Sequence, residues 1–106
     1  MKTNSSTKMT MTSLEIAEIT GKQHQHILRD IDELLKQGVD ASNFGPTSYT
    51  DKSNRKQRCY QLTYKGVLLL ASEYNPILRE KIINRWLSNW RRTVSRFLKP
   101  IFKTKV

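Results

Sequence analysis

Apolar residues recur at helical spacing from Leu14 to Ile19 and again from Ile27 to Leu35, the pattern of helices that bury one face. Thr12-Ser13-Leu14-Glu15 fits a capping box. In that arrangement the threonine hydroxyl takes an orphan amide and the glutamate reaches back to the cap. A short helix through Ile19 follows, with Gly21 as its stop because glycine enters the left-handed conformation freely. A second helix is expected over residues 23–37, ending at Gly38. At the helical period Ile27, Leu28, Ile31, Leu34 and Leu35 share one side, and Lys22, Gln25, His26, Arg29, Glu33 and Lys36 take the other. His24 falls on the apolar side and reads as a core-edge or capping histidine. His24 and His26, two residues apart, point about 200° apart on a helix and cannot share a metal ion.

Residues 44–50 and 56–62 have strand-like composition around the polar cluster 51–55, which predicts a β-hairpin. Pro46 belongs at the start or edge of the first strand, since it cannot donate a ladder hydrogen bond. In the second strand Lys56, Arg58, Tyr60 and Leu62 share a face that turns from basic at the tip to apolar at the base. The tip is thus expected to project from the body, carrying Lys52, Arg55, Lys56 and Arg58.

Thr63 suits the N-cap of a helix over residues 64–74 whose Leu-rich middle predicts burial on most sides. Asn75-Pro76 then restarts the chain, with asparagine as cap and proline at the first helical position. Leu78, Ile82, Trp86, Trp90 and Val94 recur every four residues, joined by Ile83, Leu87, Phe97 and Leu98. One long amphipathic helix to about Leu98, stopped by Pro100, is expected. The fold class is α+β and mainly helical: a winged helix-turn-helix with a β-hairpin wing and that long C-terminal helix. Residues 1–11 read as a flexible arm, 12–90 as the folded domain and 91–106 as a basic helix end and tail.

Charge sharpens this picture. The chain has 106 residues, 19 Lys plus Arg and 9 Asp plus Glu, a net charge of +10, and the excess is unevenly placed. Residues 1–50 hold five bases and six acids, residues 51–106 fourteen bases and three acids, and Arg91 to Val106 six bases and no acid. A polyanionic partner accounts for this, because each Lys or Arg set on a phosphate releases condensed counterions. No apolar run approaches the length of a membrane-spanning helix, and the N-terminus has no apolar signal core. Cys59 is the single cysteine, which excludes an internal disulfide and fits a reducing cytoplasm. No Gly-rich phosphate loop, Cys/His metal spacing or paired carboxylates point to catalysis, so neither an enzyme nor a cofactor or metal site is expected.

Three features converge on DNA. Ala17 is small where two helices would cross, with Gly21 four residues on in the turn, as in helix-turn-helix segments; Lys22 departs from the usual apolar residue there. Gln25, His26 and Arg29 can reach base edges in the major groove, with Lys22 and Lys36 as flanking phosphate contacts. The basic hairpin tip supplies a second contact to the backbone or minor groove. Asp32 and Glu33 oppose binding unless they face away from phosphates or support the fold.

The runs at residues 14–22, 26–31, 59–63 and 79–86, in that order, resemble the phage regulatory protein Rha family over about three-quarters of the chain. That resemblance implies a temperate-phage or prophage regulator in a bacterial host, of transcription by the family's general reading; the charge and helix-turn-helix features add double-stranded DNA as the expected partner, in the bacterial cytoplasm at the nucleoid. It brings no catalytic residues. The alternative reading is a protein-interaction module, an antirepressor acting on another host or phage regulator. Its motive is the stripe of Trp86, Trp90 and Val94 on a helix longer than one small domain covers, which serves either as core or as a homodimer contact. Basic and apolar residues also interleave from Arg91 onward, but the membrane reading is weaker than DNA.

Overall fold

The computed structural model describes residues 9–103, with side chains through residue 94. Of the arm expected over residues 1–11, residues 1–8 lie outside that part, as do the side chains of the tail beyond Val94. Among the described residues the chain is α+β and mainly helical, with four α-helices and a three-stranded antiparallel sheet. In chain order these are β1 (Met11–Thr12), α1 (Ser13–Thr20), α2 (His24–Lys36), β2 (Phe44–Thr50), β3 (Lys56–Leu62), α3 (Tyr64–Ala71) and α4 (Pro76–Lys103). A 3-10 turn, Ala41–Asn43, leads into β2.

Local chemistry explains most boundaries. Thr12 Oγ1 accepts from the Glu15 amide at 3.1 Å, and Gly21 closes α1 at φ 79°. The second half of the expected capping box is absent. Glu15 does not turn back to the cap, because its carboxylate accepts from Arg85 Nη1 at 2.7 Å and Asn89 Nδ2 at 3.2 Å, and a charge-assisted bond outcompetes a neutral amide. Thr63 caps α3 through the Gly66 amide, and Asn75 caps α4 through the Leu78 amide.

The sheet begins one residue before the expected start of structure. Met11 pairs with Leu62 and Thr12 with Gln61, so β3 is central between β1 and β2. Pro46 sits on edge strand β2 opposite Tyr60, where its missing donor costs no ladder bond. At the next position after Thr12 the chain has already turned into α1. There the Ser13 hydroxyl, in place of a strand carbonyl, accepts the Tyr60 amide at 3.0 Å.

Met11, Ile16, Ile27, Ile31, Phe44, Leu62, Val67, Leu70 and Ile82 form the core. Ala17 is buried where α1 meets α2, and α4 packs across α1 and α3. Two expectations for the C-terminal half are corrected. First, α3 ends at Ala71 rather than at residue 74, continuing in tighter turns with the Tyr74 amide on the Ala71 carbonyl at 3.0 Å. The residue before Pro76 is kept out of helical geometry, and Arg79 Nη2 takes the Tyr74 carbonyl at 2.9 Å. Burial of α3 is also one-sided, with Leu68 and Tyr64 exposed. Second, α4 does not stop at Pro100 but runs to Lys103. An interior proline removes one hydrogen bond and strains one turn without having to end a long helix.

Candidate nucleic-acid interface

The outer face of α2 and the tip of the β2–β3 hairpin hold the residues singled out in the sequence. Gln25, Arg29 and Lys36 are exposed along α2, and His26 is half-buried. Glu33 is exposed on the same helix. Lys52, Arg55, Lys56 and Arg58 are all exposed on the hairpin. Lys22, in the turn before α2, is drawn elsewhere: its ammonium lies 4.9 Å from the centroid of the Tyr74 ring.

The hairpin tip is organised by Asp51. Its Oδ1 accepts the Ser53 and Arg55 amides, each at 2.9 Å, and its Oδ2 accepts Gln57 Nε2 at 2.9 Å. The Arg55 and Gln57 bonds, with that of Ser53, hold its carboxyl below the usual aspartate range. Asn54 takes the left-handed conformation at φ 65°, which asparagine tolerates better than most residues. Arg55 Nε also lies 3.6 Å from Asp51. Lys52 in the turn and Lys56 at the start of β3 are therefore displayed at a tip whose shape is already set.

Hairpin and α2 are joined by side chains that sequence periodicity did not pair. Asp32 on α2 accepts Arg58 Nη2 at 2.7 Å and the Tyr60 hydroxyl at 2.8 Å. Burial opposes charge on Asp32, but these two hydrogen bonds and the Arg58 charge outweigh it and hold the carboxyl below its ordinary value. Arg58 is correspondingly held more firmly protonated by Asp32. Arg58, expected as a phosphate contact, thus ties β3 to α2, and the opposing Asp32 charge is absorbed within the fold.

A second tie lies beneath. Ser13 is fully buried, and its hydroxyl lies 2.9 Å from His24 Nε2 and 3.4 Å from Cys59 Sγ. The His24 ring meets Tyr49 edge-on, with centroids 5.6 Å apart. Burial and the nearby Arg58 charge lower the His24 pKa, so at neutral pH the ring is neutral, as its core-edge position requires. Midway along α2, Asp30 accepts the Tyr74 hydroxyl at 2.7 Å. Burial, with this bond and the charge of Asp30, pushes the Tyr74 hydroxyl far up. The residues missed in the sequence, Ser13, Asp30, Tyr49 and Tyr74, act through contacts distant along the chain.

On α4 the expected aromatic stripe divides. Trp86 is buried, Val94 half-buried, and Trp90 remains 48% exposed. Among the described residues no group of three or more His, Cys, Asp or Glu side chains is placed to hold a metal ion. No described helix is long and apolar enough to cross a membrane.

The architecture is that of a small α+β domain presenting one helix face and one basic hairpin side by side. The chain belongs to the phage regulatory protein Rha family, whose profile matches residues 11–88, and so to a class of phage regulatory proteins. It is similar to an uncharacterized protein of Haemophilus influenzae, 41% identical over 78 residues that cover 70% of this chain and 45% of that protein. The chain thus spans less than half the length of this relative. No solved structure matches it.

Proposed function

We propose that this chain is a DNA-binding regulator of the winged helix-turn-helix kind, with α2 in the major groove and the β2–β3 hairpin on the backbone. The observation that carries the proposal is that α2, with Gln25, Arg29 and Lys36 exposed, and a hairpin whose tip exposes Lys52 and Lys56 are tied together where Asp32 meets Arg58 and Tyr60. Arg29 is suited to guanine and Gln25 to adenine, with His26 beside them at the start of the helix. Lys36, Lys52, Arg55 and Lys56 supply phosphate contacts, which position the protein without reading sequence. Lys22 and Arg58 serve the same surface less directly, since each is engaged within the fold. The site of action on this reading is the DNA of a bacterial cytoplasm, and no cofactor is invoked.

Selection of bound duplexes from a random pool, followed by salt titration of the selected sequence against scrambled DNA, tests the proposal. Arg29→Ala should relax preference at one base pair by about 1–3 kcal/mol, whereas Lys56→Ala should weaken all sequences alike and reduce the salt slope by about one. Equal, steeply salt-sensitive binding to every sequence by the parent and both variants would overturn the assignment of α2 as a reader of bases.

A further inference from the structure

Beside the face that α4 packs on the domain runs a second apolar stripe. Ile83, Leu87, Trp90 and Val94 are separated by four, three and four residues, and the sequence continues the alternation at Phe97 and Ile101. Ile83, Trp90 and Phe97 recur every seven residues, as do Leu87, Val94 and Ile101, the heptad repeat of a left-handed coiled-coil seam. The face against the domain instead follows Leu78, Ile82 and Trp86 in steps of four, and Ile82 and Trp86 are buried. On the second stripe Leu87 is 43% and Trp90 48% exposed, and Tyr64 and Leu68 of α3 extend the patch at 53% and 37%. Tyr64, Trp86, Leu87 and Trp90 line an open, largely apolar groove, with the Tyr64 and Trp86 rings 5.2 Å apart.

We infer that this stripe is the seam along which two copies of the chain pair through α4. A stripe repeating every 3.5 residues stays in contact only with a helix of the same repeat, and a second α4 supplies one in a two-fold contact where the same patch serves both partners. The four exposed side chains offer about half of the ~800 Å² that each partner contributes to a standard interface, the size of a weak, reversible association. Charge does not drive this pairing. After Glu80 the chain has no acidic residue, so the two helices repel outside the seam. Self-association therefore strengthens as salt screens that repulsion, whereas capture of an acidic protein or of DNA weakens. The inference does not rest on DNA binding and is tested without DNA.

Sedimentation equilibrium of the full chain at about 0.1 M and about 0.5 M salt reads the sign directly. The expected result is a monomer–dimer equilibrium that shifts towards dimer at the higher salt, with a blue shift of tryptophan emission as Trp90 is covered. Trp90→Lys and Leu87→Lys should each weaken pairing by about tenfold or more, while Trp90→Phe retains it. Ser88→Lys, exposed and off the stripe, should leave it unchanged, and circular dichroism confirms that each variant folds. A strict monomer at both salts, a dimer indifferent to both seam variants, or association that weakens with salt would overturn the inference. The last result would assign the groove to a partner of opposite charge.

Discussion

The tie between α2 and β3 yields a prediction in which two bonds to one carboxylate differ in strength. Asp32 and Arg58 have side chains 43% and 57% exposed, so their ion pair works in a high dielectric and contributes about 0.2–1 kcal/mol. The Tyr60 hydroxyl approaches the same carboxylate from a residue only 9% exposed. Hydrogen bonds to a charged group contribute about 1.5–3 kcal/mol, and the partial exposure of Asp32 places this one near the lower end. A double-mutant cycle by urea unfolding, with Asp32→Ala, Arg58→Gln and Tyr60→Phe, should give Asp32–Tyr60 coupling about twice the Asp32–Arg58 coupling. At about 1 M salt the Arg58 coupling should nearly vanish, while the Tyr60 coupling persists. The folded Asp32 pKa is depressed, so its contribution is complete above the ordinary aspartate value and is lost as pH falls through the lower folded value. If the Arg58 coupling proved the larger, or if both were zero, the idea that Asp32 joins the hairpin to α2 chiefly through Tyr60 would be wrong.

Other expectations test other parts of the fold. Gly66→Ala, normally a gain of about 0.5–1 kcal/mol within a helix, should instead destabilise by about 1–3 kcal/mol. A Cβ there meets the Asn43 carbonyl oxygen at 2.5 Å and Asn43 Cβ at 3.3 Å, so an unchanged or higher thermal midpoint would contradict this packing. Ser13→Ala leaves the Tyr60 amide without its acceptor in a fully buried site, a loss of about 1–3 kcal/mol readable by urea unfolding. Because the folded His24 pKa lies below the ordinary 6.5, the unfolded chain takes up a proton first on acidification. Stability should decline as pH falls below about 6.5, and His24→Gln should flatten that decline; an unaltered profile would show that His24 is not its source.

Helices α1 and α2 and the hairpin were legible because their signals are local: a cap, a stop glycine, an apolar stripe and a polar turn. The exposed bases of α2 were legible for the same reason, since one buried face defines the other. A two-residue strand such as β1 has no periodicity to detect, and Met11 enters the core only because β3 lies beside it. Nor does spacing reveal that Asp32 meets Arg58 and Tyr60, that Asp30 meets Tyr74, or that Lys22 leans on an aromatic ring. Those partners lie 26 to 28 residues apart for Asp32 and 44 for Asp30, and only the assembled core brings them together. Glu15 shows the converse: a valid local motif was overridden by an arginine 70 residues away.

The Ser13 hydroxyl has one proton and two lone pairs, and it meets three groups: the Tyr60 amide, His24 and Cys59. With Asp32 joining the same pair of elements through Arg58 and Tyr60, α2 and the hairpin are held together at two points. Their ordering, about 1–2 kcal/mol for each backbone residue fixed, is completed when the chain folds. A surface prepared in this way loses little entropy on docking, and the geometry it accepts is correspondingly narrow. On the proposed DNA-binding reading it is a gauge of fixed span, favouring duplexes that already match the distance between helix and tip.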